Sequence, residues 1–99
     1  MPKTLEPIHP GEILLEEFMK PLGVSQNKLS RDIDVPLARV NAIVRGRQGI
    51  TAETALRLAK YFGSTPEFWM NLQMRYSLKV AKREAWPEIE KNIRPIRAA

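Results

Sequence analysis

The segment Ser25-Gln26-Asn27-Lys28-Leu29-Ser30-Arg31-Asp32-Ile33-Asp34-Val35-Pro36-Leu37-Ala38-Arg39-Val40-Asn41-Ala42-Ile43-Val44-Arg45-Gly46-Arg47 reads as two short helices joined by a tight turn. Ser25 is a good N-cap, and Leu29 with Ile33 supplies an i, i+4 apolar face. Asp34 falls where the chain must turn, and aspartate is among the residues that tolerate a left-handed backbone. Pro36 has its φ preset for the first turn of the next helix, where its missing N–H is not needed. In that second helix Val40, Ile43 and Val44 point inward, while Leu37, Ala38, Arg39, Asn41, Ala42 and Arg45 stay outside. Arginine forks onto guanine, asparagine pairs with adenine, and small apolar groups meet the thymine methyl. The pattern is a helix-turn-helix, and its outer face suits the DNA major groove. The plain alternative is a solvated basic helix face, but the apolar positions fit the two-helix geometry on both sides of the turn.

This reading assigns base-edge hydrogen bonds to Arg39, Asn41 and Arg45, with Leu37, Ala38 and Ala42 close to methyl groups or sugar. Gln26, Asn27 and Lys28 at the start of the preceding helix would hold the phosphate backbone. Arg47 and Gln48, just past the recognition helix, are further phosphate candidates. One such helix reads only a few base pairs, so specificity calls for a second copy on a palindrome.

Upstream, residues 1–8 read as an irregular arm with little to order it. His9-Pro10-Gly11-Glu12 opens the first helix, with Pro10 in its first turn and Glu12 near the positive end of its dipole. Leu14 with Phe18, Leu15 with Met19, and then Leu22 trace an apolar stripe that Pro21 and Gly23 terminate. Glu12, Glu16 and Glu17 make this end acidic. A solvated face explains them, and a docking face for a basic protein is the sharper reading. His9 has no second histidine and no cysteine to join it, so it reads as a capping or surface residue.

Downstream, Thr51 caps a fourth helix carrying Ala55, Leu58, Ala59 and Phe62, with Gly63 as its stop. Ser64-Thr65-Pro66-Glu67 opens a fifth by the same grammar of hydroxyl cap, proline and acid. Phe68, Trp69, Leu72, Tyr76 and Val80 form its stripe, which is wider than a small five-helix core requires. The surplus places a dimer contact around Trp69, Leu72, Gln73 and Tyr76. Residues 81–99 are basic and interrupted by Pro87 and Pro95, with Trp86, Ile89 and Ile93 suited to one short helix folded back on the body. The organisation is therefore an arm over 1–8, an all-α body over 9–80 and a basic extension over 81–99.

Composition narrows the function classes. The 99 residues suit one domain, and the formal net charge is +5, with the Lys and Arg excess lying beyond residue 24. Such an excess fits a polyanion, although solubility alone would also explain it. Without cysteine there are no disulfides or thiolate metal sites, which is compatible with a reducing cytoplasm. No apolar run reaches the roughly 20 residues that span a membrane, and Met1–Glu6 lacks the start of a secretion signal. An enzyme would need paired carboxylates with a histidine, or a metal cluster. Asp32 and Asp34 are the nearest pair, and they flank a helix end and a turn, where acids are ordinary. No catalytic residue, metal site or cofactor is expected.

Several of these residues together resemble a known family. His9-Pro10-Gly11-Glu12-Ile13-Leu14, the helix-turn-helix, Arg45 to Ala59, and Phe62-Gly63-Ser64-Thr65-Pro66-Glu67-Phe68-Trp69-Met70-Asn71-Leu72-Gln73 are similar to HigA-type antitoxins. These belong among the Xre, lambda-repressor-like domains, and relatives are also labelled virulence-associated protein I. The resemblance runs from about residue 7 to residue 80. Two departures stand out: Asp34 replaces the glycine common at the turn, and Ser30 the alanine common where the two helices touch. Both are small polar substitutes expected to loosen the motif without contradicting it. The resemblance implies a five-helix lambda-repressor-like domain with a short C-terminal helical extension. It further implies a homodimer that represses its own operon on a palindromic operator and neutralises a HigB-type toxin, a ribosome-associated mRNA endonuclease. On charge grounds, Glu12, Glu16 and Glu17 are the expected toxin-binding face, with the N-terminal arm and the C-terminal tail as the competing surfaces. A stand-alone regulator of the same fold, without a toxin, is the alternative that the sequence does not separate from it.

Overall fold

A computed structural model describes residues 6–97, and among them every regular element is helical. Six helices follow in chain order. The first, α1, is a continuous rod over residues 10–22, built from an α-helical start Pro10–Ile13, a π-helical stretch Leu14–Met19 and a last turn Lys20–Leu22. Then come α2, Gln26–Ile33, and α3, Leu37–Val44, which form the helix-turn-helix. They are followed by α4, Ala52–Phe62, α5, Pro66–Glu84, and α6, Trp86–Asn92.

The widened middle of α1 precedes Pro21, whose ring would strike the Glu17 carbonyl in a regular α-turn. Widening also changes which side chains share a face. Leu14 and Met19, five apart, are each 1% exposed, whereas Leu15 and Phe18 only border the core. Leu22, expected in the apolar stripe, is 64% exposed because the wider turn carries it past the core face. Gly23 closes the rod at φ 67°, and the Val24 N–H reaches back to the Met19 carbonyl.

Three of the hydroxyl caps read from sequence are formed. Ser25, Thr51 and Thr65 accept from the N–H groups of Lys28, Thr54 and Phe68. Pro36, expected in the first turn of α3, instead stands at its N-cap with ψ 142°. Its preset φ ends the turn rather than starting the helix. Asp34 takes φ 58° and ψ 51°, the left-handed geometry the turn requires. The Ser30 hydroxyl donates to the Val35 carbonyl at 2.6 Å, and the Val35 N–H returns to the Ser30 carbonyl. The serine therefore ties the turn across its ends, where a loosened motif was expected.

Leu29, Ile33, Val40, Ile43, Ile50, Ala55, Leu58 and Trp69 close one core with Leu14 and Met19. Trp69 is fully buried, ringed by Phe18, Phe62 and Phe68, and its indole N–H donates to the Ser64 hydroxyl at 2.9 Å. Burying that N–H without a partner would be costly, so Ser64 is what permits Trp69 to fill the centre.

The ends depart from expectation. Residues 1–5 of the arm and residues 98–99 lie outside the described residues. Within the arm, Glu6 meets Arg83 of α5 at 3.2 Å and Ile8 lies against the same helix. The helix α5 runs unbroken past residue 80 to Glu84. The short helix α6 forms, but it meets chiefly the end of α5, leaving Trp86, Ile89 and Ile93 between 40% and 65% exposed. No helix among the described residues is long and apolar enough to cross a membrane.

Candidate nucleic-acid interface

The outer face of α3 is set by what holds its inner face. Val40 and Ile43 are each 2% exposed and Val44 is half-buried, so Leu37, Ala38, Arg39 and Arg45 are turned to solvent. Ala42 and Asn41 are half-buried, which places them at the margin of that face. The Asn41 amide donates to Gln26 Oε1 at 3.2 Å. This ties the start of α2 to the middle of α3, so Gln26 is held by a base-reading candidate as well as lying near the expected phosphate path. An open hollow of about 500 Å³ is lined by Gln26, Asn27, Leu37, Ala38 and Asn41. Both groups of candidates thus meet in one place.

Lys28 lies on the exposed side of α2 but is paired with Asp32 at 2.9 Å, and Asp32 also accepts from the Tyr61 hydroxyl at 2.6 Å. The Tyr61 hydroxyl and Lys28 hold the Asp32 carboxyl below the usual range. In turn, Asp32 raises the Lys28 ammonium and the Tyr61 phenol. Past α3 the chain folds back on itself. The Arg47 and Gln48 N–H groups both reach the Ala42 carbonyl, and Gly46 takes φ 78°. Arg47 and Gln48 are exposed beside Arg45.

Of the expected dimer residues, Leu72, Gln73 and Tyr76 are half-buried on α5. Trp69 is not available to a second copy, because the subunit's own aromatic rings enclose it completely. Gln73 is also engaged within the subunit, where its Oε1 accepts from the Ile50 N–H at 2.7 Å. Leu72 and Tyr76 line an apolar groove of about 530 Å³ with Ile8, Ile13 and Leu78, and Arg75, Lys79 and Lys82 complete its wall. On α1, Glu12 and Glu17 are exposed, while Glu16 pairs with Lys20 at 2.9 Å.

The helix-turn-helix family model matches residues 15–69, which contain both helices of the motif. Virulence-associated protein I of Dichelobacter nodosus is 51% identical over 77 residues, covering 78% of this chain and 71% of that protein. Among solved structures, the Pseudomonas aeruginosa antitoxin HigA with the higBA promoter is 45% identical at a TM-score of 0.87, covering 92% of this chain and 99% of that one. The chain belongs to the HigA-type antitoxin family. Antitoxin GraA in complex with its operator is also similar, 42% identical with a TM-score of 0.88 over 99% of both chains.

In this HigA-type chain, two supporting residues escaped the sequence reading. Arg57 donates to the Ile33 carbonyl at 2.9 Å and to Glu53 at 2.8 Å, so α4 braces the last turn of α2. The Arg57 guanidinium, helped by the charge of Arg39, holds the Glu53 carboxyl below its ordinary range. Tyr61 braces the same helix through Asp32. Their signal was present only as polar residues on the fourth helix, where solvent was the simpler destination.

Proposed function

We propose that this protein binds operator DNA as a two-fold dimer through α3, represses its own operon in the cytoplasm and neutralises a HigB-type toxin. The observation that carries the DNA reading is the two-sided character of α3. Its buried Val40 and Ile43 lock it to the core, while Ala38, Arg39 and Arg45 are exposed to solvent. Asn41 and Gln26 act as a joined amide pair: Asn41 keeps its carbonyl oxygen for a base edge, and Gln26 keeps its NH₂ for the phosphate backbone. Arg47, Gln48, Asn27 and the partly committed Lys28 flank this face and serve the phosphates. Support comes also from similar proteins whose structures contain promoter or operator DNA.

The dimer reading rests on Leu72, Gln73 and Tyr76 beside the apolar groove on α5. Two-fold pairing there would place the recognition helices about 34 Å apart, one turn of B-DNA. The acidic side of α1, with Glu12, Glu16 and Glu17, is the surface offered to the toxin.

An operator titration tests the docking face. Arg39→Ala should cost roughly 1–3 kcal/mol and relax preference at one base pair in each half-site. Unchanged affinity together with unchanged sequence preference would remove this face from consideration. Co-expression with the neighbouring gene product, scored by growth rescue and complex formation, tests the toxin.

A further inference from the structure

The His-Pro-Gly-Glu opening of α1 lies at the trailing end of the recognition helix, far along the chain from it. His9 Nδ1 accepts the Gly11 N–H at 2.9 Å and so caps α1. With Nδ1 engaged as an acceptor, the neutral ring carries its proton on Nε2. The ring stands edge-on to Tyr76 of α5, centroids 4.8 Å apart. It also lies under Gly46, where an added Cβ would come within 3.7 Å of it. One residue beyond Pro10, Gly11 sits so close to α3 that a Cβ there would collide with the Ile43 carbonyl. A single imidazole therefore touches the start of α1, the turn after α3, and α5.

We propose that His9 is a positioning residue for the turn at residues 45–48, clamping it between α1 and α5 and thereby setting where Arg47 and Gln48 meet the DNA backbone. The proposal rests on the DNA-binding reading above. His9 itself contacts no nucleic acid in this scheme. The turn's own hydrogen bonds, from Arg47 and Gln48 to the Ala42 carbonyl, hold it to α3. What they leave open is its tilt against the body, and His9 fills that space from the inside. Gly46 belongs to the same device, because its left-handed φ of 78° lets the turn pass directly over the ring.

His9→Ser separates the capping role of the residue from its clamping role, since serine still caps a helix but has no ring. Operator affinity measured by fluorescence anisotropy at several salt concentrations should fall by about two- to thirtyfold. The slope of log affinity against log salt should shrink by about one for each phosphate that the protein no longer neutralises. Melting temperature and sedimentation should stay near wild type. Adding Arg47→Ala to His9→Ser should cost less than Arg47→Ala costs alone, because the Arg47 side chain is already misplaced. Should His9→Ser fold poorly, His9→Asn, a comparable cap that also lacks the imidazole, serves for the same comparison. Wild-type affinity and slope in the folded variant would overturn the proposal, as would full additivity with Arg47→Ala. A fall in affinity that merely tracks the unfolded fraction would overturn it too. If Arg47→Ala has no effect on operator binding in the wild-type protein, the DNA reading of the turn fails first and the proposal falls with it. That failure is distinct because it needs no His9 variant to be seen.

Discussion

His9 illustrates how much can depend on one ring nitrogen. Burial lowers the imidazole from its ordinary value of 6.5, and the Gln48 backbone opposes that shift. The cap on α1 needs Nδ1 unprotonated, so the folded chain favours the neutral ring. In the unfolded chain the ring takes up its proton as pH falls through about 6.5, while the folded chain resists until a lower pH. Stability should therefore decline as pH falls through that region and level off once the folded form is also protonated. Thermal melts between about pH 7.5 and 5.5 should show this decline, and His9→Asn should flatten it. Asp32 and Glu53, both held low, give up their contributions only as pH falls through their depressed values, well below this window. The sequence marks His9 as a capping or surface residue, and its packing against Gly46 and Tyr76 is invisible there, because nothing in local spacing brings residues 9, 46 and 76 together.

At the scale of elements, the helix-turn-helix was readable because its rules are local. A serine cap, an i, i+4 apolar pair and an aspartate at the left-handed position each act within a few residues, whereas Pro36, expected inside the first turn of the next helix, stands one place earlier at its N-cap. The interior of α1 was less readable, since the π-helical stretch shifts the buried set from a four-residue to a five-residue spacing and carries Leu22 out to solvent. Where α1 meets α3, Gly11 makes the closest approach. A Cβ at Gly11 would lie 1.8 Å from the Ile43 carbonyl oxygen, and a backbone atom cannot step aside as a flexible side chain can. Gly11→Ala should therefore destabilise the fold by at least the roughly 1–3 kcal/mol typical of overpacking. Operator binding should weaken as α3 is pushed from its seat. Chemical denaturation checks the first effect and an operator titration the second, and a wild-type midpoint would show that the two helices are less tightly apposed than described.

The whole molecule is longer than a compact chain of its size. Its radius of gyration is 16.7 Å, against about 13 Å for a compact domain of 100 residues. At the far end of α5 and along α6, Met74, Leu78, Trp86, Ile89 and Ile93 remain 40–65% exposed among the described residues. A run of exposed apolar side chains along one helix fits a second copy docking along α5. Leu72→Glu would set a carboxylate in that groove. It should shift sedimentation towards monomer and weaken binding to a two-half-site operator far more than to a single half-site. A dimer that survives Leu72→Glu would move the contact elsewhere. The sequence alone determined the order of the helices, the Ser25, Thr51 and Thr65 caps, the left-handed turn at Asp34 and the buried side of α3, because those follow from neighbours within one or two helical turns. Only the tertiary structure decided that Trp69 is sealed inside rather than shared with a partner, that Arg57 and Tyr61 brace α2, and that His9 sits beneath the turn after α3. Those outcomes depend on which distant surfaces meet, and the meeting is settled by close packing of the entire core rather than by any short stretch of chain.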